Sequence, residues 1–208
     1  MERLISDFIF MFTIIDPIGT VPVFLAVTAQ FPESVRRRVA IRAAIVSTLL
    51  LLGCAVVGQF LLTTLNIDFA AFRVAGSVIL FLFALDMIFG TSKPEHEVAE
   101  AEKHADDALD SAIYPLAIPS IAGPGSMMAV IVRTENGTYS IGEQTLTIAV
   151  MLVVLGLVLV AMLAATRIGR LIGASGASVV SRVMGLILAA VAAEGMLSGI
   201  GEYFAIGG

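Results

Sequence analysis

A short break inside the first apolar stretch brings together residues that could bind a charged solute. The break is formed by Asp16, Pro17, Gly19, Thr20 and Pro22. Proline removes a backbone donor and clashes with the preceding helical turn, and glycine allows the chain to leave helical angles, so we expect the helix to open here. The surrounding residues, 4–29, are apolar enough to span a bilayer. Opened backbone at membrane depth is stable only where protein or a water-filled cavity satisfies it, which favours a binding site.

A second break of the same kind lies in the fourth apolar stretch. Its residues are Gly123, Pro124, Gly125 and Ser126. At a rise of 1.5 Å per residue, each break lies ~18–20 Å into its stretch, near the bilayer midplane. The half-helices that begin near Thr20 and Ser126 should offer unpaired N–H groups and a positive dipole end, which suit a carboxylate. The carbonyl groups that end the preceding half-helices, together with Asp16, suit an ammonium group. The two breaks therefore predict a site for a small zwitterion.

Three carboxylates within or beside the apolar stretches are candidates for coupling transport to an ion gradient. They are Asp16, Glu194 and Asp86. An ionisable residue inside a membrane is costly and marks function by default. Asp16 is the strongest candidate because it adjoins a break, and Asp86 is the weakest because it lies near the end of its stretch. The alternative for Asp16 is a proline kink whose carboxylate bonds to a neighbouring helix.

Composition places the chain among integral membrane proteins. Hydrophobic residues make up 58% and charged residues 14% of the 208 positions, the mean hydropathy is +0.99, and soluble domains carry roughly 25% charged residues. The single cysteine, Cys54, excludes a disulfide within the chain and paired-cysteine chemistry. Both histidines lie in the hydrophilic segment, so we expect no enzyme built on histidine, no metal and no cofactor. An acid pair of Asp16 and Glu194 keeps an intramembrane enzyme as an alternative.

Hydropathy predicts an all-α fold of six transmembrane helices, of which the first and fourth are broken. The predicted helices cover residues 4–29, 43–62, 69–89, a stretch beginning near 112, 146–165 and 179–200. Polar loops are predicted at the arginine-rich residues 31–42 and around 167–173, and the fifth helix is expected to face lipid. Residues 91–111 form an acidic linker in which His96, Glu100 and His104 share one face if the segment is helical. A solvated linker is favoured over a metal site because no apolar face would hold the ligands.

The two halves of the chain look like copies of one unit. Gly19-Thr20 matches Gly125-Ser126 at an offset of 106, and residues 72–76 match 181–185 at an offset of 109. Three spans per copy is an odd number, so the second copy must be inserted upside down. We therefore predict one transmembrane domain, 1–208, with repeat 1 at about 1–90, the linker at about 91–111 and repeat 2 at about 112–208.

The distribution of basic residues predicts the orientation in the membrane. Nine basic residues adjoin the odd-numbered loops: Arg36, Arg37, Arg38, Arg42, Lys93, Lys103, Arg167, Arg170 and Arg182. Three adjoin the opposite side: Arg3, Arg73 and Arg133. Because basic loops stay in the cytoplasm, we expect both termini to be periplasmic.

The motif Asp-Pro-x-Gly-Thr-x-Pro-x-Phe at 16–24 and the motif Ala-Gly-Pro-Gly at 122–125 resemble those of the MarC family. The resemblance extends over nearly the whole chain. It implies a six-span inner-membrane protein linked to transport of small neutral amino acids such as glycine, alanine and serine. The antibiotic-resistance locus in the family's name does not establish drug efflux. Thr20 stands where many relatives carry asparagine, which alters a polar contact to the substrate.

Breaks, carboxylates and resemblance together predict a secondary transporter of small neutral amino acids across the bacterial inner membrane. The expected partners are the amino acid, the lipid bilayer, and H⁺ or Na⁺ as the coupling ion. A homo-oligomer is left open, and nothing supports nucleic-acid binding. The alternatives are a channel or exporter of another small solute and, in another class, an intramembrane enzyme or a structural membrane protein.

Overall fold

The computed structural model describes residues 2–89 and 112–206, and in these ranges every regular element is helical. The elements are α1 (Glu2–Ile15), α2 (Thr20–Val27), α3 (Glu33–Thr64), α4 (Phe69–Phe89), a kinked segment (Ala112–Ile121), α5 (Pro124–Arg133), α6 (Ile141–Leu163) and α7 (Ala165–Ile206). Both predicted breaks are present, because the chain leaves the helix between α1 and α2 and again before α5. The predicted acidic linker, with the alternative metal site at His96, Glu100 and His104, lies outside the described residues.

Length and composition identify five candidate membrane spans among the described residues, or six if the kinked segment and α5 form one span. Residues Glu2–Val27 count as a single span, whereas the kinked segment meets α5 at 53°. The other candidates are α3, α4, α6 and the part of α7 at Ser178–Ala205. Glu2 and Ser198 line one cavity, so both ends of the described chain lie at the same end of the bundle. A chain that crosses a membrane an even number of times has its two ends on the same side.

Two stretches that were predicted to be loops are helical. α3 begins at Glu33, so the arginine-rich residues form its first turns, and α7 begins at Ala165 and continues through 167–173. Arginine is a good helix former, and its long side chain can reach the membrane surface while its backbone remains helical. The loop predictions at these two places are therefore wrong, whereas the predicted helix at 69–89 has the bounds of α4.

α6 has one buried face and one exposed face. It packs against α1, α2 and α3, whereas Leu152, Val153 and Val160 are exposed, so the expected lipid-facing surface is confined to one side of the helix. Its buried face consists of Thr147, Val150, Met151, Val154, Leu155, Val158 and Met162. Uniform hydrophobicity around a helix does not reveal which face meets protein and which meets lipid.

α4 and α7 pack against each other in antiparallel orientation through small residues. A Cβ atom on Gly195 would lie 2.3 Å from the Ser77 hydroxyl oxygen, and one on Gly185 would lie 2.9 Å from the Cβ of Met87. A Cβ atom on Gly199 would lie 2.8 Å from a methyl carbon of Val74. The Gly195-x-x-x-Gly199 spacing thus allows α4 and α7 to approach each other closely.

The two halves of the chain make matching contacts between helices. In this comparison α1, α2, α3 and α4 of the first half correspond to the kinked segment, α5, α6 and α7 of the second. α3 packs on the kinked segment as α6 packs on α1, and α3 packs on α5 as α6 packs on α2. α4 packs on α5 as α7 packs on α2. The remaining large contacts, α4 with α7 and α3 with α6, join each element to its counterpart.

Candidate functional site

The first break is organised by Asp16. Its φ angle is +51°, in the left-handed region, where aspartate is among the better tolerated residues. Its Oδ1 accepts a hydrogen bond from the N–H of Gly19 at 2.9 Å. Its carbonyl oxygen accepts bonds from the N–H of Thr20 at 3.1 Å and from the Thr20 hydroxyl at 3.0 Å. Asp16 thus ends α1 and caps α2 with its own backbone and side chain.

This capping overturns one prediction about the break. Unpaired N–H groups were expected at the start of α2, but those of Gly19 and Thr20 bond to Asp16 and that of Val21 bonds to the carbonyl of Ile18 at 3.2 Å. Proline at position 22 has no N–H to offer. The start of α2 therefore has no free donor among these residues, and a substrate carboxylate has no partner there.

Gly19 is required for space rather than for backbone freedom. Its φ and ψ angles, −66° and −23°, are ordinary helical values. A Cβ atom at this position would lie 2.1 Å from Oδ2 and 2.7 Å from Cγ of Asp16. The residue that leaves helical angles is Asp16, and glycine makes room for its folded-back carboxylate.

One oxygen of this carboxylate has no protein partner. Asp16 is 2% exposed, and no hydrogen-bond donor within the described parts of the chain reaches its Oδ2. A buried polar atom without a partner costs free energy, which a bound cation, a proton or a positively charged ligand group would offset. The alternative of a proline kink with Asp16 bonded to a neighbouring helix does not match the contacts, because the side-chain hydrogen bond of Asp16 stays within the break.

The second break retains the free donors that the first lacks. Gly123 is extended, with φ −81° and ψ 172°, and no side chain caps α5. The first bond inside α5 runs from the N–H of Met127 to the carbonyl of Gly123 at 3.0 Å. Since the helical bonds start at Met127, the N–H groups of Gly125 and Ser126 remain outside the helical bonding pattern, and Pro124 has no N–H. Of the two predicted sets of unpaired N–H groups, the set at the start of α5 is therefore present among the described residues.

Close packing fixes the shape of this second break. A Cβ atom on Gly123 would lie 2.5 Å from the carbonyl oxygen of Pro119. The Ser126 hydroxyl donates to the carbonyl of Ile121 at 2.8 Å, which ties α5 back to the kinked segment. Ser126 is 3% exposed, so its backbone lies in the interior.

The two breaks meet in the core of the bundle. A Cβ atom on Gly125 would lie 3.7 Å from a methyl carbon of Ile14, two residues before Asp16. α2 packs on the kinked segment, and α1 packs on α5. Ile15 and Val21 from the first break share one apolar cluster with Ile121 from the second. The free carboxylate oxygen and the free N–H groups therefore belong to neighbouring parts of one core.

A cleft of about 860 Å³ leads from one end of the bundle toward this core, between α1, α4, α5 and α7. Thr13 and Ile14 line it close to the first break, and Met128 lines it close to the second. Glu194 also lines the cleft, whereas Asp86 is exposed and lies outside it. The structure thus places Glu194 in the cleft and leaves Asp86 apart from the breaks.

Sequence reasoning missed a buried ion cluster at the mouth of the cleft. Asp7 is fully buried, and its Oδ1 lies 3.1 Å from Nη1 of Arg133. Its Oδ2 accepts a bond from the Thr147 hydroxyl at 2.9 Å and lies 3.6 Å from Nε of Arg3. The spacing of Arg3 and Asp7, four residues apart in α1, was the one available signal. The cluster joins α1, α5 and α6.

A second ion cluster lies nearby and involves Arg73, which also lines the cleft. Its guanidinium lies 2.7 Å from a carboxylate oxygen of Glu202 and 3.3 Å from one of Glu135. Arg73 therefore pairs with carboxylates outside α4. The arginines that line this cleft are thus already paired with carboxylates.

Comparison with known proteins decides the family. The model of the MarC family of integral membrane proteins matches residues 1–204. The chain belongs to the MarC family. A UPF0056 membrane protein of Methanocaldococcus jannaschii is 35% identical over 201 residues, which cover 96% of this chain and 97% of that protein. YvbG, a UPF0056 membrane protein of Bacillus subtilis, is 30% identical over 206 residues, covering 98% and 96%. No solved structure matches the chain.

Membership of the MarC family establishes an integral membrane protein, as the resemblance predicted. The relatives named here are described as membrane proteins, without a substrate.

Proposed function

We propose that this MarC-family protein is a secondary transporter of small neutral amino acids. The observation that supports the proposal is the meeting of two helix breaks in the core, one with a free carboxylate oxygen and the other with free N–H groups. An amino acid carries one group for each of these partners. Its ammonium group would bind Oδ2 of Asp16, and its carboxylate would bind the N–H groups of Gly125 and Ser126, helped by the positive dipole end of α5.

Selectivity for neutral side chains follows from the walls around the breaks. Val21, Val23 and Phe24 are at most 3% exposed, and Met128 is 7% exposed. A lysine or glutamate side chain would bring a further charge into these apolar surroundings, at a cost of several kcal/mol. Glycine, alanine and serine avoid that cost.

The core supports a transporter rather than a channel. Met11, Ile15 and Ile121 have no exposed surface, so they close the described part of the core beyond the cleft. A channel would need a continuous water-filled path, whereas an alternating-access transporter is closed on one side at a time. The cleft in this structure would be the open side.

An inverted repeat would supply the second state. The paired contacts between the two halves are those that a pseudo-two-fold axis would produce. Because α4 and α7 are counterparts and antiparallel, such an axis would run perpendicular to them, in the plane of the membrane. Exchanging the conformations of the two repeats would close the cleft and open the opposite side, as inverted-repeat transporters do.

Asp16 is also the proposed coupling residue, with H⁺ or Na⁺ as the ion. A proton or cation on Oδ2 would neutralise the buried carboxylate when the substrate is absent. Glu194 is the second candidate because it lines the access route. We further propose the inner membrane of a bacterium with both termini periplasmic, following the charge bias of the loops.

Purified protein in liposomes tests the proposal. Uptake of labelled glycine should be blocked by excess alanine or serine and not by lysine, glutamate, ethylamine or propionate. Asp16→Asn should abolish accumulation driven by a proton or sodium gradient and leave some exchange of glycine. Asp86→Asn, at an exposed position away from the breaks, is the matched control and should transport normally. Inhibition by lysine equal to that by alanine, or by propionate alone, would contradict the site.

Channel or exporter activity is the runner-up, and the same liposomes separate the two. Glycine that equilibrates without ever accumulating under either gradient would indicate a channel. An intramembrane enzyme or a structural protein would show no glycine flux at all.

A further inference from the structure

A second cavity, of about 870 Å³, lies at the end of the bundle opposite the cleft. It is enclosed by the end of α2, the start of α3, the end of α6 and the start of α7. The arginines Arg36, Arg37 and Arg167 line it, and Phe24, Met162 and Leu163 form its apolar side. The proposed transport site does not use this cavity.

The cavity carries positive charge that the described residues leave uncompensated. Three arginines face one carboxylate, that of the exposed Glu33. None of these arginines forms an ion pair with a carboxylate of the described residues. By contrast, Arg73 and Arg133 at the other end are both paired. The cavity therefore favours an anion.

Backbone donors strengthen this preference. The residue before α3 is Pro32, which provides no side-chain cap. The N–H groups of Val35 and Arg36 bond to the Pro32 carbonyl at 2.9 and 3.0 Å. The N–H groups of the two residues before them, Glu33 and Ser34, are left outside the helical bonding pattern, and both residues line the cavity. A helix start of this kind adds partial positive charge to that of the arginines.

The apolar side of the cavity distinguishes between kinds of anion. Phe24 and Met162 are 2% and 1% exposed, whereas Leu163 is 49% exposed at the end of α6. Phe24 and Met162 are covered by the protein itself, but a free phosphate ion would leave the exposed side chain of Leu163 without a partner. A phospholipid would place its phosphate on the arginines and its glycerol and upper acyl chains against the apolar side. The candidate spans Glu2–Val27 and Ile141–Leu163 end at this cavity and Glu33–Thr64 begins there, which would place it at the depth of lipid headgroups.

We propose that this cavity is a binding site for the headgroup of an anionic phospholipid. Arg36 connects the site to the transport machinery, because its Nε donates to the Thr28 hydroxyl at 3.2 Å and its guanidinium lies 5.9 Å from the ring centre of Phe24. Thr28 is the C-cap residue of α2. A lipid phosphate on Arg36 would hold the end of α2, the half-helix that follows Asp16.

Native mass spectrometry of the detergent-purified protein tests the site. The protein is titrated with short-chain phosphatidylglycerol, with phosphatidylcholine and with inorganic phosphate. Phosphatidylglycerol should bind with defined stoichiometry, and the neutral lipid should not. The double variant Arg37→Gln/Arg167→Gln should weaken phosphatidylglycerol binding by roughly thirtyfold, or about 2 kcal/mol, at about 1 kcal/mol for each arginine near the headgroup.

A second double variant separates this site from general attraction to a basic surface. Arg38→Gln/Arg182→Gln removes the same charge from two exposed positions outside the cavity and should bind phosphatidylglycerol as the unaltered protein does. Equal losses in the two double variants would overturn the proposal. Competition by millimolar inorganic phosphate would also overturn it, by assigning the cavity to a soluble anion. Thermal unfolding of each variant confirms that the fold is retained.

Discussion

Replacement of Gly19 by alanine isolates the contact that shapes the first break. At a glycine with helical angles, alanine normally stabilises a protein by about 0.4–1 kcal/mol. Here the added Cβ would lie 2.1 Å from Oδ2 of Asp16, so the carboxylate would have to rotate off the Gly19 N–H. Losing that charged hydrogen bond costs about 1.5–3 kcal/mol. We expect a net destabilisation of roughly 1–2 kcal/mol and slower glycine uptake.

The assay is thermal unfolding in detergent together with uptake into liposomes. Gly156→Ala in α6 is the matched control, because no atom lies within 4 Å of the Cβ it would add. That variant should be neutral or slightly stabilising and should transport normally. Unfolding reports the fit of the methyl group, and uptake reports the position of the carboxylate.

A double-mutant cycle decides whether Asp16 is the cause. Asp16→Gly removes the carboxylate while still allowing a positive φ angle. In that background, Gly19→Ala has nothing to displace and should stabilise by about 0.4–1 kcal/mol. If Gly19→Ala instead destabilises both backgrounds equally, the contact with Asp16 does not explain the glycine, and the geometry argued for the first break is refuted.

Three further predictions concern the second break, the buried ion cluster and the orientation. Gly123→Ala should abolish uptake, because its Cβ would meet the immobile carbonyl oxygen of Pro119 at 2.5 Å, while Gly142→Ala, with open space around it, should not. Asp7→Asn should lower the unfolding temperature by several degrees, since it leaves the partly buried Arg133 without a carboxylate; an unchanged temperature would show that the cluster is not stabilising. A periplasmic reporter fused to the C-terminus should be active and one inserted in 91–111 silent, whereas the reverse would overturn the orientation.

Local chemistry made some features predictable from the sequence. Both breaks lie where proline and glycine interrupt apolar sequence, and α4 has its predicted bounds, because these signals depend on adjacent residues. The arginine-rich starts of α3 and α7 were mistaken for loops, since charge indicates contact with water or headgroups and says little about backbone conformation. Composition likewise could not show which face of α6 meets protein.

The pairing of polar atoms was decided by the tertiary structure. That Asp7 lies beside Arg133 and Thr147 depends on the packing of three helices that are distant in sequence. The sequence by itself determined a membrane protein with two broken helices and a carboxylate at the first break. Only the folded chain decided that Asp16 accepts hydrogen bonds from the N–H groups of Gly19 and Thr20 while its Oδ2 stays without a partner. At the start of α5, by contrast, the N–H groups of Gly125 and Ser126 stay outside the helical bonding pattern. The reason is physical: residue types define which groups can bond, and three-dimensional packing determines which of them find partners.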